Sequence, residues 1–429
     1  MLENYFHLTA RRSTVAREFR GAAATFLTMA YILFVNPSIL KNAGLDFNSA
    51  VACTAAAAGV CCLLMGFIAN FPLATAPGMG LNAVVAFQLA KAAGSWQAAM
   101  GVIVLDGIVM LLLVLAGLRE AIMDAIPRAL RLATGAGIGL FIAFIGLVNA
   151  KLILINIPGA PLQAGSVRDH DATVAIIGLV LTAWLIARKI PGAIVVGIIV
   201  STAVAFPLGV THWPHTTQSI SFANAFHADV RGALRWDLLP LLFAVLMVDF
   251  FDTLGTATAV GEQAGLVQKS GRVMNIRQIL IVDSLAAAIG GLFGASSVTA
   301  YVESAAGVAE GARTGLHSIF VGCFFLIAIV AAPYAGVVPA AATAPALILV
   351  GFFMIAQITR IDFEDLETAI PAFLTLITIP LTYSIAHGIG FGFIAYVVIH
   401  LIGGKWREPH PLMYAVSAAF AAYFILSPG

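Results

Sequence analysis

The sequence predicts an all-α polytopic membrane protein with fourteen transmembrane segments in two inverted repeats of seven. Three observations predict it. First, 61% of the 429 residues are apolar and only 10% are charged, where a soluble chain carries about a quarter charged residues. Second, apolar runs of the length needed to cross a bilayer core, about 20 residues, recur from end to end. Third, the basic residues fall mainly on alternate loops. This composition excludes a soluble enzyme, a disordered chain and a nucleic-acid binder, because a soluble fold of this size must present water with a tolerable surface. The net charge of +1 implies no polyanionic partner.

The segments read as 21–40, 49–70, 74–91, 96–118, 129–150, 172–188 and 191–209, then 238–259, 276–293, 295–309, 315–334, 342–359, 368–384 and 387–404. The apolar stretch 411–427 is either a fifteenth crossing or an interfacial helix. Four arginines precede the first run, as in a signal peptide, but the run is long and lacks a cleavage site, so it is read as retained. With the N-terminus in the cytoplasm, 16 Lys and Arg fall in inner loops and 6 in outer ones. Dropping the two short segments, 74–91 and 295–309, weakens this bias to 13 against 9. Seven being odd, the second repeat is inverted. Residues 1–209 form the first repeat, 210–237 an outer linker and 238–429 the second repeat.

The linker holds His212, His215 and His227; the spacing of His212 and His215 could suit a helical metal pair, but Pro214 disfavours a helix there and no carboxylate lies close to that pair, so no metal site is expected. Cys53, Cys61, Cys62 and Cys323 lie in apolar runs and read as small buried hydrophobes. No cofactor motif or nucleophile–base pair is found, so the chain is not expected to be an enzyme.

Two segments are broken in corresponding places, third in each half. Leu73–Phe87 is interrupted by Pro77, Gly78 and Gly80 and carries Asn82; Gly294–Gly311 runs through Val298, Thr299, Tyr301 and Val302 to Glu303. Each reads as a short extended piece feeding a helix. Such paired interruptions mark transporter binding sites, since non-helical backbone survives at membrane depth only inside protein or along a cavity. Five acids fall inside segments: Asp106, Asp249, Asp252, Asp283 and Glu303. Each costs roughly 2.5–3.5 kcal/mol to insert at mid-membrane, and no Lys or Arg shares the span of Asp249 and Asp252. A buried carboxylate without a cation favours its protonated form and can carry a proton. Asp249 and Asp252 share one helix face, and Gly255 opens space beside Asp252. Asp106 and Asp283 read as acids bonded between helices.

The strings TFLTMAYILFVNPSIL, TAPGMGLNAVVAF, DFFDTLGT and SSVTAYVESAAGVAEGARTGL resemble the adenine/guanine/hypoxanthine permeases, the AzgA-like branch of the nucleobase/ascorbate transporters. The resemblance covers nearly the whole chain. It implies a core domain of segments 1–4 and 8–11 moving against a gate domain of segments 5–7 and 12–14, with strands opening segments 3 and 10. It implies a substrate site at Asp252, Glu303, Tyr301, Val302, Asn82, Gly80, Thr28 and Thr256, with Asp252 standing where relatives usually have Glu. Tyr301, Phe26 or Phe251 could stack on a base. The implied activity is proton-coupled purine uptake across the plasma membrane, by a homodimer. Asp252, Asp249 and Glu303 are the candidates for proton coupling. Glu303, opening a helix with free N–H groups, is expected to hold substrate, and the mid-helix Asp252 to carry the proton. The rival on the same fold is an anion carrier, which would need a positive site. Epitope tags in 1–15 and between Lys405 and Pro409 are predicted to label from the cytoplasm, and one in 211–230 from outside; a cytoplasmic 211–230 loop would overturn the fourteen-segment reading.

Overall fold

The computed structural model describes residues 2–117, 125–157, 160–213, 219–268 and 273–426. Each expected segment contains a helix. Segment 1 is broken in two, α1 (Val15–Met29) and α2 (Ile32–Leu40), with Ala30 and Tyr31 between them. Then come α3 (Phe47–Ala69), α4 (Met79–Ala93), α5 (Trp96–Leu115), α6 (Arg128–Asn149), α7 (His170–Ala187) and α8 (Ala193–Ala205). The second half has α9 (Leu239–Ala264), α10 (Ile276–Leu292), α11 (Ser304–Ala309), α12 (Gly315–Ala328), α13 (Ala340–Ile355), α14 (Leu366–Thr382) and α15 (Ile385–Ile402). Among the described residues nine helical stretches qualify as membrane spans by length and composition alone. The broken segments fall below that length because part of each is strand. The stretch 411–427 forms a further helix, α16 (Pro411–Leu426), whose Phe420 ring packs against Phe243 and Phe393.

Four short strands occur among the described residues. β1 (Thr75–Pro77) precedes α4 and β4 (Val298–Ala300) precedes α11; they pair antiparallel, Thr75 opposite Ala300 and Pro77 opposite Val298. β2 (Ile153–Ile157) and β3 (Ala160–Ala164) make a hairpin between α6 and α7, in a stretch the sequence reading left as loop. The helices pack in two groups. In one, α3 lies on α2 and α12, α5 on α10, and α11 and α12 on α1; in the other, α6 lies on α13 and α14, α7 on α8 and α13, and α14 on α15. The helix α9 touches both groups.

Contacts between loops follow the alternation that the charges predict. Arg11 Nη1 donates to the carbonyls of Asn70 (2.6 Å) and Arg313 (3.3 Å), Asn275 Nδ2 to that of Ala69 (2.9 Å), and Lys405 Nζ to Glu367 (2.6 Å). All of these lie in expected inner loops. The described linker residues are tied to expected outer loops rather than loose in solvent. Asn224 N–H donates to Ser49 Oγ (2.8 Å), Phe226 N–H to Leu292 O (2.6 Å), Asp229 N–H to Gln97 O (2.8 Å) and Thr211 Oγ1 to Val337 O (2.7 Å). His215 lies outside the described residues. Cys53, Cys61 and Cys62 are buried as expected, but Cys323 is exposed. A residue in an apolar run can face either the helix bundle or the lipid, and the run alone does not say which.

Small residues let the backbones near the strands approach closely. A Cβ on Gly290 would lie 2.1 Å from the Ser296 carbonyl oxygen, and one on Gly107 would lie 2.4 Å from the Ala288 nitrogen; around Gly255 the space is open. Gly290→Ala should therefore destabilise the purified protein by about 1–3 kcal/mol, while Gly255→Ala, on a helix, should leave the melting temperature unchanged or raised. Equal melting temperatures for the two variants would contradict this packing.

Candidate substrate site

The strands β1 and β4 meet where α4 and α11 begin, and the antiparallel ladder extends by one backbone bond at each end: Gly78 N–H to Ser297 O (2.9 Å) and Tyr301 N–H to Ala74 O (2.9 Å). Side chains complete it. Ser304 Oγ accepts from Ala74 N–H (2.9 Å) and donates to Tyr301 O (2.7 Å), and Tyr301 Oη donates to Pro77 O (2.5 Å). Tyr301 thus clamps the crossing, with its ring buried.

The helix α9 runs beside β4 and supplies the acids. Thr253 donates to Asp283 Oδ1 (2.5 Å) and lies 2.8 Å from Thr299 Oγ1, and Ser297 donates to Asp249 Oδ2 (3.0 Å). Asp249 and Asp283 are fully buried, and both brace the second strand. Asp283 has the interhelical role read from the sequence. Asp249, proposed there for coupling, sits against the β4 turn. Asp106 is also fully buried.

Asp252 lies on the other face of α9 and is exposed. Exposure continues along α9 through Gly255, Thr258, Ala259, Glu262 and Gln263 to the end at Ala264, whereas every residue from Ala244 to Phe250 is buried. An exposed strip of α9, the candidate crevice, thus reaches Asp252 from the Ala264 end of the helix. Glu303, half-buried, is within electrostatic reach of Asp252, and both are near Tyr31 and Tyr301. Val302 stands between them and the opening, 56% exposed. Thr256 is buried on the same helix.

The carboxylate of Glu303 is not held as the sequence suggested. The amides after it are spent on a tight turn: Ser304 N–H to Tyr301 O, Ala305 N–H to Val302 O and Ala306 N–H to Glu303 O. A six-residue helix with its first amides engaged offers little to an anion. The donor is instead Tyr31 Oη, 2.7 Å from Glu303 Oε1. Tyr31 comes from the break in segment 1, and the sequence reading missed it.

The remaining predicted residues fall nearby with different environments. Asn82 is fully enclosed, and neither atom of its amide has a hydrogen-bond partner among the described residues; a bare buried amide is costly and is the kind of group a ligand or water satisfies. Gly80 packs under α6, where a Cβ would meet Ile138 Cγ2 at 2.7 Å. Thr28 donates its hydroxyl to the carbonyls of Thr25 and Ala24 in its own helix. Phe26 packs edge-on against Phe325, which removes it from the stacking candidates, and the side chain of Phe251 lies outside the described residues. An apolar groove between Leu239–Leu246 and Ala415–Phe420 has no charged residue in its lining.

Across the membrane from the crevice, the two helix groups touch. Phe87 and Phe141 pack edge-on against Tyr383, as does Phe144, and Ser384 Oγ donates to Gln88 Oε1 (3.3 Å).

Known proteins share this fold and sequence. The transmembrane domain of the cyanobacterial bicarbonate transporter BicA superposes with a TM-score of 0.63 over 88% of this chain and 96% of that one, at 16% identity, so the likeness is one of fold. A putative permease of Methanocaldococcus jannaschii is 40% identical over 100% of this chain and 99% of its own length. The adenine permease AdeP of Escherichia coli is 38% identical over 98% and 95%. The guanine/hypoxanthine permease PbuG of Bacillus subtilis is 39% identical over 99% of each. Residues 17–391 match the family described as "Permease family", and the chain belongs to it, on the nucleobase branch that holds the adenine and guanine/hypoxanthine permeases.

Proposed function

We propose that the chain takes purine nucleobases (adenine, hypoxanthine and guanine) into the cell across the plasma membrane, coupled to protons, by alternating access. The observation that carries this reading is the pair of carboxylates, Asp252 and Glu303, at the head of a crevice beside the strand crossing. A purine is flat and neutral, with N–H donors on its edges. A carboxylate accepts those donors, and a neutral base brings no charge that the site must balance. An anion carrier on this fold would need a cation where these acids stand.

In this proposal Glu303 holds the base and Asp252 carries the proton. Glu303 has its charge supported by the Tyr31 hydroxyl, whereas Asp252 has no cationic partner among the described residues: its charged neighbours are acids, Asp283 and Glu303. Val302 backbone and the Asn82 amide would complete the contacts. The packing groups correspond to the core and gate domains, and the crevice is the inward-open state, closed outside by Phe87, Tyr383, Gln88 and Ser384. The loop contacts support the N-terminus-in orientation. The homodimer and the absence of enzymatic activity are carried over from the resemblance.

Uptake of labelled hypoxanthine, adenine, uracil and sulfate into cells expressing the chain tests the substrate class: purines should accumulate and sulfate should not. Accumulation should rise as external pH falls and collapse with a protonophore; sodium-driven accumulation that ignores the protonophore would sink the coupling. Glu303→Gln replaces an acceptor oxygen with a donor and should weaken purine binding by about 1–3 kcal/mol, a factor of roughly ten to a hundred. Asp252→Asn should keep binding and counterflow exchange but lose pH-driven accumulation. Normal binding by Glu303→Gln together with no binding by Asp252→Asn would reverse the two roles.

A further inference from the structure

We infer that Tyr31 sets which purines the site prefers, by occupying one oxygen of Glu303. This rests on the reading that Glu303 accepts N–H groups from the base. Tyr31 is 1% exposed and sits in the two-residue gap between α1 and α2. Its backbone is in helical geometry, and Phe34 and Val35 both donate to its carbonyl, so the residue starts α2 and cannot swing away without unwinding it. The buried ring leaves its hydroxyl aimed at Glu303 Oε1, 2.7 Å away. No other side chain donates to Glu303 among the described residues.

The consequence lies in how many acceptors the carboxylate can offer. A free carboxylate presents two oxygens side by side, which matches two parallel N–H donors. Guanine carries such a pair, the ring N1–H and the adjacent 2-amino group. Hypoxanthine has the same ring N1–H and lacks the amino group. Adenine's exocyclic amino group stands between ring-nitrogen acceptors, again without a second adjacent donor. With one lone pair of Oε1 used by the phenol, Oε2 is the freer acceptor for a single donor, and the 2-amino group of guanine must share Oε1 with the buried phenol. The amino group is then brought out of water without a full replacement bond, which is unfavourable. Tyr31 thereby holds guanine down relative to hypoxanthine, in addition to orienting the carboxylate.

The test compares guanine with hypoxanthine, which differ only in the 2-amino group, by competition binding to the purified full-length protein. Tyr31→Phe keeps the ring and removes the hydroxyl. It should shift the guanine-to-hypoxanthine affinity ratio about tenfold towards guanine. A uniform loss of affinity for both bases, with the ratio unchanged, would mean that Tyr31 only packs, and would overturn the inference. Should the variant fail to fold, the wild-type protein still decides: guanine binding no tighter than hypoxanthine supports the inference, and guanine binding tenfold tighter overturns it. Glu303→Gln separates the two levels. If it weakens both bases while Tyr31→Phe leaves the ratio fixed, the carboxylate reading stands and the Tyr31 inference falls; if it weakens neither, both fall.

Discussion

Two three-residue strands cross inside the helix bundle, and each satisfies its backbone partly against the other and partly against the side chains of Cys62 and Tyr301. Hydrocarbon offers no hydrogen-bond partner, and each bare N–H or C=O costs several kcal/mol. The antiparallel pairing of Thr75–Pro77 with Val298–Ala300 meets that demand, and it dictates the surroundings. Ser304 and Tyr301 take up the groups at the ladder's ends. Thr299 and Ser297 are braced by hydroxyl and carboxyl groups of α9 and α10. Gly290 is required beside the Ser296 carbonyl. The proposed ligand site uses the same geometry: the chain leaves extended form at Tyr301, and α9 runs beside it with Asp252 exposed.

The elements that were legible in the sequence are those written in local composition. Gly78, Gly80 and Pro77 interrupt one apolar run, and Ser296 to Val302 interrupt another, at matching places; the strands lie there. The acids stand out against 10% charge, and the structure gathers Asp252 and Glu303 while turning Asp249 and Asp283 to the strands. What was not legible depends on partners far away in the chain. Tyr31 and Glu303 are 272 residues apart, and nothing in the periodicity of segment 1 distinguishes that tyrosine from a packing aromatic. The hairpin Ile153–Ala164 and the tethering of the linker by Asn224 and Asp229 are likewise long-range or backbone effects. Cys323 shows the limit of hydropathy, which marks a span without marking its lipid-facing side.

The likeness to an anion carrier sharpens the distinction between fold and site. The bicarbonate transporter domain shares the architecture at 16% identity, and architecture alone selects no substrate. Selection comes from the side chains around the crossing. Here they are carboxylates with a phenol donor and a buried amide, a set that, in the function proposed, suits a neutral ring with N–H donors better than a free anion. In the proposed cycle, the exposed strip of α9 and the aromatic contacts of Tyr383 at the other end belong to one of its two states.

The central claim is that a purine binds at the strand crossing, between Glu303 and Asp252. An experimental structure of the full-length protein with hypoxanthine bound tests it most directly. The account predicts the base within hydrogen-bond distance of the Glu303 carboxylate and alongside Val302, at the head of the crevice. Hypoxanthine seated elsewhere, with Glu303 and Asp252 both out of contact, would contradict it.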